Sequence, residues 1–513
     1  MKKILLKNKY LIILSAILGL NLFLNIIFFR LNYHPFSDFV ANFLTYPDTF
    51  KKLIYLPTDN YLHQMPFYYL ILKLFGYIPR TISIINLAEA SFCFISFILF
   101  YLKFFKKNLE SKSIVFLVPL FYLINLYYLY SILEHPFNRA TGLGLIFLFL
   151  FYFLSQKRRL IFELIFLFSF TFLFLGDPIF IYIFALPLLI ACLITHLRQK
   201  NKISASLTAI ILIVSAIILS LIGRDLLNKS SYFLIYSSGA NFATLDGLSR
   251  NFKVFIEAFL KLFNAFFFGE DITAKRTILH LANFTLISLG IYGLYLFLKK
   301  ELAKNNSVGL FIPISFLITI SSYVFSNKAE NIHTMRFLSI LPFLLMFGLL
   351  TFIAKLKELK SYYLKIFLVF ISAVIILNLF DLRFKEPTPF PKDNYYANLE
   401  LLDILSRNNV NYGYAEYWKA SSTTFLSQNK TQVRQILCIE GKIRPFLWIA
   451  SEKFYEPSNY SDKTFLLLDE TLPSCSPQKA IDQFGEPTKN INLEIKGEKM
   501  QLLIFNYNIA IRF

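Results

Sequence analysis

The chain has 513 residues, 56% of them hydrophobic, with 60 phenylalanines, a mean hydropathy of +0.54 and a net charge of +20. Apolar runs of about 20 residues recur, the length that crosses a bilayer core, and this excludes an ordinary soluble domain. Much of the positive charge sits in short loops between these runs, where it sets topology and meets anionic lipid, so nucleic acid is not an expected partner.

The first apolar run, residues 10–29, follows Met1-Lys2-Lys3-Ile4. It is too long for a signal-peptide core, and no small-residue cleavage site follows. It reads as a retained first helix that starts in the cytoplasm. Further spans are expected at 82–102, 113–133, 138–154, 161–176, 178–197, 203–222, 277–298, 308–325, 337–354 and 362–380, which makes about eleven helices. An odd number places the N-terminus inside and the C-terminus outside. Residues 30–80 form a first outer loop. Its stretch 38–55 suits an interfacial helix, and 66–78 is apolar but too short to span. Residues 223–276 form a second outer loop, aromatic-rich at 252–268, which suits a lid. The membrane part thus covers 1–380. From residue 381 charged residues return, and Pro387, Pro389 and Pro391 make a linker. Residues 381–513 read as a small extracytoplasmic α/β domain, with strands at 464–468 and 501–505 and a short helix at 477–484.

The loops sort by charge. Residues 103–112, 157–159, 198–202, 299–304 and 355–360 are dominated by Lys and Arg, which marks the cytoplasmic face. The other loops carry Ser37-Asp38, Glu134-His135-Pro136-Phe137-Asn138-Arg139, Gly176-Asp177-Pro178 and His333-Thr334-Met335-Arg336. The candidate chemistry therefore gathers at the outer face. Of four cysteines, Cys93 and Cys192 fall in predicted spans as packing residues. Cys438 and Cys475 fall in the tail, where a disulfide is compatible with an oxidising compartment. No spacing suggests a metal site.

Each candidate residue has a structural reading beside its functional one. Asp38 is placed to take a proton from an acceptor hydroxyl, or it caps the interfacial helix. Arg139 suits bidentate phosphate binding, or it pairs with Glu134 to tether two helices. Asp177 is a carboxylate at the membrane edge, a functional position by default, or an acid favoured by a helix start. Glu89, near Asn86, is expected to make a structural hydrogen bond first. His63, His135, His333 and Arg336 add donors and cations at the outer face, although Arg336 equally suits snorkelling to headgroups.

No Walker loop, Rossmann glycine pattern or metalloprotease helix occurs. The cytoplasmic loops are too short for a nucleotide-sugar domain, so an enzyme here takes its activated donor from the membrane. A polyprenyl-phosphate sugar supplies a phosphate for Arg, an anomeric carbon and an apolar tail.

The layout resembles the GT-C type membrane glycosyltransferases, especially glycosyltransferase family 39, with its mannosyltransferase and aminoarabinose-transferase members. Asp38 matches the essential acid of that family's first outer loop. His63-Gln64-Met65-Pro66-Phe67-Tyr68-Tyr69 is a partial match to its His-Pro-Pro-Leu stretch. Met335-Arg336-Phe337-Leu338-Ser339-Ile340-Leu341-Pro342 is similar to its Arg-Tyr-Leu-x-x-Leu-Pro run. The tail stretch Gly413-Tyr414-Ala415-Glu416-Tyr417-Trp418-Lys419-Ala420, with Phe425-Leu426-Ser427 after it, is similar to the outer domain of some bacterial members. One departure is that Asp38 lacks the second acid beside it, which leaves Asp48 and Asp59 as alternatives. Glu134 sits where the family often has another acid.

The resemblance implies inverting glycosyl transfer with no metal or other cofactor. The donor is a lipid-phosphate sugar, and the acceptor is a glycan, lipid or protein. Asp38 and Glu134 are then catalytic. His63, His135, Arg139, Asp177, His333 and Arg336 bind substrate. The expected place is the cytoplasmic membrane of a bacterium. The alternatives are a transporter or flippase of a lipid-linked glycan, and a non-catalytic envelope scaffold. No internal symmetry favours the transporter.

Overall fold

The computed structural model describes residues 53–56, 79–105, 139–155, 159–198, 205–236, 241–359, 361–384, 392–460, 462–469 and 475–513, with single positions at 44, 64 and 118 and a few between 70 and 76.

Helices dominate. Before the tail come α1 (Pro79–Phe104), α2 (Ala140–Phe153), α3 (Leu160–Gly176), α4 (Leu186–Arg198), α5 (Ala205–Lys229), α6 (Leu245–Leu262), α7 (Lys275–Lys304), α8 (Ser307–Phe325), α9 (Leu341–Leu359) and α10 (Ser361–Phe384). Among the described residues five helical stretches are long and apolar enough to cross a membrane. They are Ile181–Arg198, Ser206–Lys229, Lys275–Lys304, Ser307–Phe325 and Tyr362–Asp381. α2 and α3 are apolar but shorter, about 21 and 26 Å at 1.5 Å per residue. Large apolar side chains such as Phe168, Leu221 and Val369 stand exposed on the outside of the bundle. Lipid tolerates that arrangement and water does not.

Contacts between helix ends fix the sense of each helix. Arg139, before α2, meets Asp177, after α3. Arg224, late in α5, donates to the Leu175 carbonyl near the end of α3 at 3.0 Å. Arg198, ending α4, donates to the Leu302 carbonyl near the end of α7 at 2.8 Å. Asn251 of α6 donates to the carbonyls of Val324 and Ser326 at the end of α8. Asn283, early in α7, pairs with Asn378, late in α10. Successive long helices therefore alternate in direction. One end of the bundle gathers Arg139, Asp177, Arg224, Glu270 and Phe337. The opposite end gathers Arg198, Lys299, Lys304 and Lys355. Among the described residues, the members of the two loop classes thus lie at opposite ends.

The interior is built from phenylalanine. Phe97 meets Phe147 and Phe343, each at 4.9 Å between centroids, and Phe149 meets Phe170 at 5.2 Å. Such tilted aromatic pairs add to their area of burial. α7 and α9 pack backbone against backbone where Gly293 faces Gly348. A β-carbon on Gly293 would lie 1.9 Å from the Gly348 carbonyl oxygen, so small residues at this crossing let the two backbones touch.

Several boundaries moved from their sequence positions. The span expected at 178–197 begins with a π-helical turn, Ile181–Ala185, where Ser315 donates to the Ile183 carbonyl at 2.6 Å. A side chain that enters the backbone ladder loosens it in this way. The span expected from 337 begins at Leu341, because Ile332–Leu338 winds as a 3-10 helix. The Tyr323 hydroxyl lies 2.7 Å from that of Thr334 and anchors the 3-10 segment. Pro342 then takes the second position of α9, where its missing N–H costs nothing.

The interfacial helix expected over 38–55 lies mostly outside the described residues, but its end is corrected. β1 (Ile54–Leu56) is a strand, parallel to β2 (Phe233–Ile235) of the second large loop. Two partner strands supply backbone hydrogen bonds that outweigh local preference. Tyr55 stacks on Tyr236 at 6.1 Å.

The tail contributes α11 (Lys392–Arg407), β3 (Tyr412–Glu416), α12 (Tyr417–Leu426), β4 (Gln432–Ile439), β5 (Lys442–Pro445), β6 (Ala450–Ser451), β7 (Thr464–Asp469), α13 (Pro477–Phe484), β8 (Lys489–Ile495) and β9 (Glu498–Phe505). Six of the strands form one sheet in the order β5-β4-β3-β7-β9-β8, parallel from β4 through β3 to β7 and antiparallel at both edges. β6 leaves this sheet and pairs antiparallel with β1. A three-stranded ribbon thereby joins the first loop, the second loop and the tail. Cys438 and Cys475 form a disulfide with Cα atoms 5.9 Å apart. Cys93 and Cys192 are buried and take no part in a disulfide.

Candidate functional site

Arg139 stands immediately before α2, and its guanidinium turns into the bundle. Nε donates to Asp177 Oδ2 at 2.8 Å, and both side chains are almost fully buried, 6% and 3% exposed. The corner that holds Asp177 is stiff. Its backbone N–H donates to the Leu173 carbonyl, ending α3, and its other carboxylate oxygen accepts from the Ile179 N–H at 3.2 Å. Pro178 follows and prevents α3 from continuing. Arg139 is thus held by a fixed acid, Asp177 of the α3–α4 corner.

The 3-10 segment before α9 lies against this pair. The Arg139 guanidinium carbon lies 5.0 Å from the centre of the Phe337 ring, and that of Arg336 lies 5.4 Å from the same ring. Two guanidinium groups therefore lie against one aromatic ring. Arg224 completes the group, since its charge also acts on Asp177. Among the described residues, Arg139 pairs with Asp177, the Arg224 charge reaches the same carboxylate, and Arg336 lies with Arg139 against Phe337. Such a site suits a phosphate, which accepts paired hydrogen bonds from planar guanidinium groups.

Of the residues chosen from sequence, Arg139, Asp177 and Arg336 come together through Phe337. His333 lies on the same 3-10 segment, Ile332–Leu338. Asp38, His63, Glu134 and His135 lie outside the described residues. Glu89 accepts from the Thr141 hydroxyl at 2.9 Å, the structural hydrogen bond expected of it.

A second polar group at the same end was not singled out from sequence. Glu270 Oε2 lies 2.9 Å from His280 Nδ1. Asn283 donates to the Asn264 carbonyl at 2.8 Å and to Asn378 Oδ1 at 3.0 Å. Asn378 returns a bond to Asn283 Oδ1 at 2.8 Å. Asp381 lies 3.3 Å from Asn264 Nδ2 and 3.9 Å from Arg276 Nε. Next to this group, backbone and side-chain hydrogen bonds from Thr273 hold Asp271 below the usual carboxylate range. The available signal was the placing of His280, Asn283 and Asn378 inside predicted spans, where polar groups are costly and face the protein interior.

Among the described residues no group of His, Cys, Asp and Glu has the arrangement to hold a metal ion. Compared with known protein families, characterised proteins and solved structures, the chain matches none.

Proposed function

We propose that the chain is an integral membrane glycosyltransferase that moves a sugar from a polyprenyl-phosphate donor to a hydroxyl acceptor. The observation that carries this reading is the meeting of Arg139 and Arg336 on the Phe337 ring, with Arg139 braced by Asp177. As the glycosidic bond breaks, charge grows on the leaving phosphate. Fixed guanidinium groups in a poorly hydrated site stabilise that charge without reorganising. Arg139 and Arg336 have this role, Asp177 positions Arg139, and His63, His135 and His333 supply further donors to the substrate. For the acceptor proton, the sequence nominates Asp38, assisted by Glu134.

In this reading the chain crosses the membrane about eleven times, with the lysine-rich end in the cytoplasm and the arginine site outside. The tail is a small extracytoplasmic α/β domain, joined to the outer loops through the three-stranded ribbon. The membrane is the cytoplasmic membrane of a bacterium, and the acceptor is a glycan, lipid or protein.

The test is binding of tritiated polyprenyl phosphate to the purified full-length protein in detergent. Arg336→Gln should weaken binding at least about tenfold, since a charge-assisted pair is worth about 1.5–3 kcal/mol. Equal binding by wild type and variant would remove the phosphate role and with it the main support for the reading.

A further inference from the structure

We propose that Glu270 and His280 form a carboxylate–imidazole dyad whose Nε2 accepts the proton of a ligand hydroxyl. This rests on the transfer reading, and it places on His280 the proton-accepting role that the sequence nominates for Asp38. His280 lies in the first turns of α7 with its residue 4% exposed. Glu270 Oε2 sits 2.9 Å from Nδ1, and the Thr277 hydroxyl lies 3.1 Å from the same oxygen. A carboxylate at Nδ1 fixes the neutral ring with its proton on that nitrogen, and leaves the lone pair on Nε2. Nε2 is buried and has no hydrogen-bond partner among the described residues. A histidine kept only to anchor the loop would gain nothing from a second buried nitrogen that accepts no bond. A nucleophile-activating base needs that nitrogen unpaired and its other side oriented.

The surroundings hold the dyad in place. Asn264, Asn283 and Asn378 cross-link the end of α6, α7 and α10 about one helical turn from His280. The charged groups acting on the ring are Glu270, Arg276 and Asp381. His280 is 13 residues before Gly293, about 20 Å along α7 from the Gly293–Gly348 crossing. That is the end of the bundle that carries Phe337 and Arg336. One end of the bundle therefore offers cations for a leaving phosphate and an oriented imidazole for an incoming alcohol.

In the step, the O–H bond of the acceptor breaks and its proton passes to His280 Nε2. The oxygen lone pair forms the new bond to the anomeric carbon. The bond from that carbon to the phosphate oxygen breaks, and its electron pair leaves with the phosphate. Glu270 stays ionised against the imidazolium, which later returns its proton to water.

Two readouts on the purified full-length protein decide the matter. Diethyl pyrocarbonate acylates unprotonated, unpaired imidazole nitrogens, and mass spectrometry locates the product. Slow acylation of His280 under folding conditions is expected, because Nε2 is buried but has no hydrogen bond to give up among the described residues. No acylation of His280 until the protein is unfolded would show a sealed structural pair and overturn the proposal, whether or not the chain is a transferase. With a polyprenyl-phosphate sugar as donor, His280→Asn should lower kcat about 100-fold and remove the acidic limb of the pH profile. Free imidazole should restore part of the rate. Glu270→Gln should alter the same limb with a smaller loss of rate. Wild-type kcat in His280→Asn, with Asp38→Asn inactive, would return the base to Asp38.

Discussion

Breaking the Arg139–Asp177 pair should be the most damaging single change at the arginine site. Asp177→Ala leaves the guanidinium buried without that carboxylate. The side chains are 6% and 3% exposed and 2.8 Å apart. At an effective dielectric near 20, unit charges about 4 Å apart interact by about 4 kcal/mol. Removing one partner of a buried pair typically costs about 3–5 kcal/mol. The two estimates agree, so a loss near 4 kcal/mol is expected. Replacing both residues by apolar ones, Arg139→Met with Asp177→Leu, should recover most of it, because neither charge is then buried alone. The assay is chemical unfolding in detergent followed with a thiol-reactive fluorophore, since Cys93 and Cys192 are thiols buried in the bundle. The double variant should be stable yet bind polyprenyl phosphate poorly. A loss under about 1 kcal/mol in Asp177→Ala, the range of exposed pairs, would refute the claim that this pair is a desolvated brace.

Other parts of the molecule give further expectations. Gly293→Ala places a methyl group where the Gly348 carbonyl now sits, and should cost about 1–3 kcal/mol in the same unfolding assay. The Cys438–Cys475 disulfide joins residues 37 apart, so Cys475→Ser should cost the tail about 4 kcal/mol on the chain-entropy estimate. Both tryptophans, Trp418 and Trp448, lie in the tail, so intrinsic fluorescence reads its unfolding separately. Burial pushes the Glu416 carboxyl up to about 7, with Asp469 adding to the rise and hydrogen bonds from the Trp418 and Lys419 backbones opposing it. Folding therefore disfavours the ionised form. Tail stability should fall as pH rises from about 4.5 to about 7 and then level off. Glu416→Gln should flatten that slope, and an unchanged slope would assign it to other groups.

Five of the expected spans, 178–197, 203–222, 277–298, 308–325 and 362–380, coincide with helices long and apolar enough to cross a membrane; they were legible because lipid imposes a simple rule on sequence, long apolar runs. α3, expected at 161–176, forms at Leu160–Gly176. α13 forms at Pro477–Phe484, as its proline start and Ser476 cap indicate. The strand at Ile54–Leu56 was not legible, since its partners are far along the chain at 233–235 and 450–451. The same limit applies to the site. Arg139 and Arg336 were visible as cations beside spans, but the choice of Asp177 as the acid for Arg139 depends on how α2 and α3 pair. The Phe337 ring that gathers the arginines reads in the sequence as one more apolar residue. Glu270 sits in a loop that reads as a lid, and only the packing of α7 brings it to His280.

The central claim is glycosyl transfer from a lipid phosphate. The most direct test is release of polyprenyl phosphate from radiolabelled polyprenyl-phosphate mannose, glucose and aminoarabinose by membranes containing the full-length chain. Arg336→Gln and Asp38→Asn serve as comparisons. Release with at least one donor, lost in Arg336→Gln while the protein stays folded, is the predicted result. No release with any donor, while the protein carries intact lipid-linked sugar across the membrane, would contradict the account and establish transport.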